Sequence, residues 1–162
     1  MFQKILVPLD GSKLAEAVLP YVVDVATSCH AQIVLVHAIP PASQMIGLAG
    51  STDLGPMVTT NAEAISATLE AETKKMQAYM EEVAQGIRGR GLDVAWVTRE
   101  GPAGATIVDV AGEMNIGLVA LSTHGRSGLG RLIFGSVADH VLRRSGLPIL
   151  LIKPDEKGEG ER

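Results

Sequence analysis

Aromatic residues make up only 3% of this 162-residue chain. A surface that stacks nucleobases needs Phe, Tyr or Trp, so the scarcity argues against a nucleic-acid platform. An excess of positive charge is also missing. The formal net charge is -4, which gives no global attraction to nucleic acid or to an anionic membrane. The single cysteine, Cys29, excludes an intrachain disulfide and fits a reducing compartment. No window approaches the roughly 18 uninterrupted apolar residues of a membrane-spanning helix. The apolar stretch near the start stops at Pro8, too early for a signal peptide. The expectation is a soluble cytoplasmic protein with no nucleic-acid and no membrane partner.

The chain is well supplied with apolar residues, at 46%, against 20% charged. That balance excludes disorder. A chain of this length is one domain and buries roughly 70% of the surface its unfolded form exposes. Apolar runs at Ile5–Val7, Ile33–Val36, Val94–Val97, Leu118–Leu121 and Ile149–Ile152 are rich in Val, Ile and Leu and lack polar alternation. Strands buried on both faces of a parallel sheet have this pattern. Helical segments between the runs imply strand-helix-strand units with right-handed crossovers.

The first helix is expected from Ser12 to Ser28, capped by Ser12 and kinked or broken at Pro20. A long helix should follow Ser66, because Leu69, Thr73, Met76, Met80, Val83 and Ile87 form one stripe at helical spacing. Such a Met-bearing stripe serves as core more often than as a binding surface. Gly86, Gly89 and Gly91 should close that helix. Further helices fit Ala103–Met114 and Ser136–Arg144. The stretch from Ile39 to Asn61 has no clear period and is either a functional lid or disordered. From Lys153 onward Pro, Gly and charge predict a frayed tail.

The segment Ser122–Ser136 carries the most chemistry. It follows a predicted strand, is rich in glycine, and ends where a helix begins. In open parallel sheets ligands sit beyond the carboxyl ends of strands. Glycines admit close backbone approach, and free amides at a helix start favour anions. Gly135, Ser136 and Val137 supply those amides, and Arg126 and Arg131 supply positive charge. The segment reads as a phosphate cradle, with a solvated flexible connection as its alternative. A P-loop lysine is missing and the dinucleotide fingerprint is not met. Asp10, after the first strand, is placed to accept ribose hydroxyls, to ligate a metal bridging to phosphates, or simply to form a turn before Ser12. His37 and His124 lie near strand ends with no ligand partner at metal spacing, and His30, His140 and Cys29 read as structural. No catalytic constellation assembles.

These residues match a known pattern. Lys4-Ile5-Leu6-Val7-Pro8-Leu9-Asp10-Gly11-Ser12 resembles the first strand and turn of the universal stress protein superfamily. Gly101-Pro102-Ala103 with Ile107 and Ala111 is similar to that family's third helix. Gly125, nine residues, then Gly135-Ser136 resembles the signature of its ATP-binding subgroup. The resemblance spans Lys4 to Lys153. It implies a Rossmann-like (adenine nucleotide alpha hydrolase-like) α/β fold: an open five-stranded parallel sheet of order 3-2-1-4-5 with helices on both faces. The domain would occupy residues 1–154, with a flexible charged tail over 155–162.

The resemblance also implies ATP as ligand, with Mg²⁺ held through Asp10, and a homodimer joined at Ile149–Ile152. Adenine and ribose contacts would fall at Pro8, Asp10 and Ala38, and phosphate contacts at Gly125, Arg126, Ser127, Gly128, Gly135, Ser136 and Val137. The family has glycine three residues before Gly125, where this chain has Ser122, whose hydroxyl either crowds the phosphates or joins them. An acidic residue often found before the fourth strand is Gly117 here. The leading expectation is a nucleotide-binding regulatory dimer. Slow ATP hydrolysis or autophosphorylation at Ser136, and a nucleotide-free interaction module, are the alternatives.

Overall fold

Each apolar run forms a strand whose alternate side chains leave on opposite faces. The structure is a computed structural model that describes residues 2–41, 62–123 and 135–154, with the backbone alone for 62–67 and 69. The strands are β1 (Lys4–Pro8), β2 (Gln32–Ile39), β3 (Val94–Glu100), β4 (Leu118–Ser122) and β5 (Ile149–Ile152). They form one five-stranded sheet of order β3-β2-β1-β4-β5, and every pairing is parallel. The helices are α1 (Lys13–Glu16), α2 (Leu19–Cys29), α3 (Ala62–Arg88), α4 (Ala103–Glu113) and α5 (Ser136–Arg144).

Two cores result, one on each face. Ile5, Val7, Ile33, Leu35 and Ala120 join Val22 and Ala26 of α2 and Met80, Ala84 and Ile87 of α3. Leu6, Val34, Val36, Val119 and Leu121 join Ile107 and Val110 of α4 and Ala138 and Val141 of α5. Because both sheet faces are covered, the strands need apolar residues at every position, and this is why they read as unbroken runs.

Several boundaries differ from expectation for local reasons. The first helix is broken, as one of the two expectations had it, but the break lies just ahead of Pro20, which sits in the first turn of α2, where a missing N–H costs no helical bond. Ser12 caps α1 as expected, its Oγ accepting from the Ala15 amide at 3.1 Å. Helix α3 begins at Ala62, ahead of Ser66, and continues through Gly86 to Arg88. Gly91, at φ +82°, makes the turn that follows, so Gly86 is not part of the stop. Most of the described stripe is core: Met80 and Ile87 are buried, Met76 and Val83 pack against the first cluster, and Thr73 is half-buried. β2 and β3 outrun their apolar stretches, pairing as far as Ile39 with Glu100. As an edge strand, β3 carries Arg99 and Glu100 at little cost. Helix α4 stops one residue short of expectation, with Met114 as its C-cap. The Ile39–Asn61 stretch beyond residue 41, His124, Arg131 and the tail at 155–162 lie outside the described residues. Among the described residues no helix is long and apolar enough to cross a membrane.

Candidate functional site

The chain runs from β1 to β2 and β3 on one side, then crosses to β4 and β5 on the other. Neighbouring crossovers therefore diverge between β1 and β4, and a crevice opens beyond the carboxyl ends of these strands. It holds about 290 Å³. Pro8 and Asp10 reach it from β1, Ala38 from β2, Ser122 from β4, and Gly135, Ser136 and Val137 from the start of α5. Seven of the sequence-selected residues thus converge on one hollow. Gly125, Arg126, Ser127 and Gly128 lie outside the described residues.

Asp10 forms the expected turn and also lines the crevice. Its Oδ1 accepts from the Ser12 amide at 2.9 Å, closing the turn that leads to the α1 cap, and its carboxylate lines the crevice. Gly11 completes the turn at φ +81°, and a Cβ there would stand 3.3 Å from the Met76 methyl of α3. The loop that presents Asp10 is therefore braced against the long helix.

Across the crevice, α5 starts without a side-chain cap. Gly135 is its N-cap, and the first helical bond runs from the Asp139 amide to the Gly135 carbonyl at 2.9 Å. The amides ahead of that bond have no helical partner and carry the positive end of the helix dipole. Thr123 accepts from the Gly135 amide at 3.5 Å, which ties the helix start to the end of β4. Helix α4, whose Ala103 and Ile107 line the same crevice, also starts with no side-chain cap bond.

Ser122 Oγ is the exception among polar side chains here. It is buried and has no hydrogen-bond partner among the described residues. A buried hydroxyl left unpaired costs about 1–3 kcal/mol.

From sequence, His37 lay near a strand end with no ligand partner at metal spacing. The structure gives the detail. His37 Nδ1 lies 2.8 Å from the Leu9 carbonyl oxygen, which only accepts, so Nδ1 carries the proton. The bond fastens the end of β1 to β2 just before Asp10, and the ring lines the crevice. Ala103, Ile107, Leu14 and Thr123 were not selected from sequence. The Gly101-Pro102-Ala103 motif was a signal for the first two. Gly101 sits at φ +148°, its amide donates to the Ile39 carbonyl at 2.9 Å, and a Cβ there would come within 2.6 Å of Thr106 Oγ1.

A larger hollow of about 450 Å³ lies between α2 and α3, away from the strand ends. Part of its polar rim is committed to itself: Lys13 and Tyr79 both bond the Glu16 carboxylate, at 3.1 and 3.0 Å. Burial, reinforced by that carboxylate, holds the Tyr79 hydroxyl well above its ordinary pKa. The crevice, lined by helix starts without side-chain caps, is the better ligand site.

A model described as the universal stress protein family matches residues 1–153. The universal stress protein MJ0577 of Methanocaldococcus jannaschii is 27% identical over 161 residues, covering 94% of this chain and 96% of that protein. The MJ0577 structure superposes with a TM-score of 0.76, at 24% identity over 97% of this chain and 99% of that one. A universal stress protein in complex with cAMP has a TM-score of 0.61 at 21% identity, covering 94% of this chain and 97% of its own. One from Archaeoglobus fulgidus in complex with dAMP also has a TM-score of 0.61 at 21% identity, with 93% and 98% covered.

Proposed function

The chain belongs to the universal stress protein family, and from that premise we propose that it binds ATP in the crevice beyond β1 and β4 and acts as a nucleotide-dependent regulatory dimer in the cytoplasm. The observation that carries this reading is the convergence of Asp10 with the uncapped start of α5 across one hollow. Nucleotides in two related structures, cAMP in one and dAMP in the other, support it.

The chemistry divides along the crevice. Pro8 and Ala38 offer an apolar edge for adenine, and Asp10 accepts from ribose hydroxyls. The amides of Ser136 and Val137, with the Ser136 hydroxyl, take the phosphates. Gly125, Arg126, Ser127 and Gly128 would complete the phosphate contacts. Among the described residues no three His, Cys, Asp or Glu side chains cluster to hold a metal. In this reading Mg²⁺ would arrive with the phosphates, and Asp10 would be its protein ligand. Signalling requires nucleotide to favour one state of the protein over another.

The dimer contact in this reading is β5, an edge strand whose four aliphatic residues are all only half-buried. Residues 1–154 act as the folded unit. The test is to purify the chain without added nucleotide, denature it and chromatograph what is released. The expected result is adenine nucleotide near one per chain. An empty protein that also gives no calorimetric heat with ATP, with or without Mg²⁺, overturns the reading.

A further inference from the structure

The hollow of about 450 Å³ between α2 and α3 has no part in the nucleotide reading. Leu19, Pro20 and Val23 form its α2 wall, and Val83 and Ile87 form its α3 wall. Gly86 lines it too, although this glycine is helical, in the last turn of α3. A helical glycine is less stable than alanine at the same place. A Cβ on Gly86 would meet nothing within 4 Å, so no contact inside the chain calls for glycine there. The missing side chain leaves room for another backbone to come close from outside.

Charge says which backbone. Glu82 stands four residues before Gly86 and Arg90 four residues after it. Both are exposed and both line the hollow. Among the described residues neither has an ion pair, whereas Lys13 and Glu16, also on the rim, pair with each other. A helix that complements this trough carries a cation opposite Glu82, an anion opposite Arg90 and a small residue between them. Helix α3 of a second copy, run antiparallel, meets all three conditions, because a two-fold axis beside Gly86 exchanges the two charges. We propose that the trough is an isologous interface between two copies of this chain, with α3 packed antiparallel on α3 across Gly86 and each Glu82 paired with Arg90 of the other copy. The trough is concave and a helix is convex, so each α3 seats between α2 and α3 of the other copy. Strand β5 lines no part of the hollow, so this contact is separate from the dimer at β5 and adds to it.

The test is sedimentation of the full chain over a concentration series. It compares the wild type, Glu82→Arg, Arg90→Glu and the double exchange Glu82→Arg/Arg90→Glu. Each single variant sets like charges together at both contacts. Association should weaken by about tenfold or more, halving the mass where the wild type is associated. The double exchange restores both pairs and should associate as the wild type does. An equimolar mixture of the two single variants should also associate, because one chain is positive on both sides of Gly86 and the other is negative on both. Damage to the fold would not be repaired by mixing. Gly86→Leu should likewise weaken association, yet raise the melting temperature of the dilute chain. A dimer held only at β5 keeps its mass in every variant. That result leaves the hollow to another occupant, such as a small apolar ligand, and overturns the proposal. A wild type that stays a single chain throughout overturns it too, as does a mixture of the single variants that stays dissociated.

Discussion

The two ends of the sheet treat their polar groups differently. At the amino end they are committed within the chain. Lys4 Nζ donates to the Met114 carbonyl at 3.1 Å, the Gln32 side-chain amide to Asp93 at 2.7 Å, and the Gly117 amide to the Lys4 carbonyl at 3.0 Å. Arg88, at the end of α3, donates to the Val94 carbonyl and to Glu81, whose other oxygen accepts from Trp96 at 2.7 Å. At the carboxyl end two helices start without side-chain caps, and among the described residues the Ser122 hydroxyl has no partner. The same strands supply both ends, so the contrast does not come from the sheet. The carboxyl end also has bonds that hold the fold, from Asp10, His37 and Thr123, but it alone adds two helix starts without side-chain caps.

The largest effect should come from the backbone that shapes the open end. Gly101→Ala places a Cβ against Thr106 at a φ that L-residues avoid. We expect a loss of about 1–3 kcal/mol in chemical denaturation, together with weaker ATP binding, because Ala103 and Ile107 form the crevice wall. Next, Asp10→Asn keeps an oxygen for the Ser12 amide and should leave stability within about 0.5 kcal/mol. Calorimetry should nonetheless show ATP affinity down about tenfold as the charged acceptor is lost. A stability loss without an affinity loss would make Asp10 a turn residue only.

The amino end should behave in the opposite way. Lys4→Met removes the bond to Met114 and should cost about 1 kcal/mol while leaving ATP affinity unchanged. The smallest effect concerns pH. The Trp96 hydrogen bond, helped by those of Gln85 and Arg88, holds the Glu81 carboxyl below its ordinary pKa. Its folded-state preference for the carboxylate therefore stabilises fully above the ordinary glutamate pKa. That stabilisation fades as pH falls through the lowered value. Glu81→Gln should flatten the acid side of a melting-temperature profile, and an unchanged slope would deny Glu81 that role.

Much of this contrast was legible in the sequence, although unevenly. Ile5–Val7 and Leu118–Leu121 announced doubly covered strands because parallel burial removes polar alternation. Helix α5 was bounded correctly by Gly135-Ser136 and by the basic residues at its end. The break that Pro20 signalled is present, but its place was not legible, since proline in a first turn and proline at a break leave the same local pattern. The reach of β2 and β3 to Ile39 and Glu100 was also hidden, because edge pairing tolerates Arg99 and Glu100 without any apolar mark. Asp10, Gly135 and Ser136 could be chosen as site residues from turn and helix-start chemistry, whereas Leu14 and Thr123 carry no motif and enter the crevice only by position.

By itself the sequence determined the strands, the parallel class of the sheet and the turn and helix-start residues at the carboxyl ends of the strands. Those properties follow from local periodicity, glycine and capping chemistry, which act over a few residues. Only the tertiary structure decided that Asp10 and Ser136 share one hollow, that His37 fastens the end of β1, and that the Ser122 Oγ is buried without a partner among the described residues. Each of these depends on segments far apart in the chain meeting across the β1–β4 divergence, and no local pattern encodes a distance between separate strands.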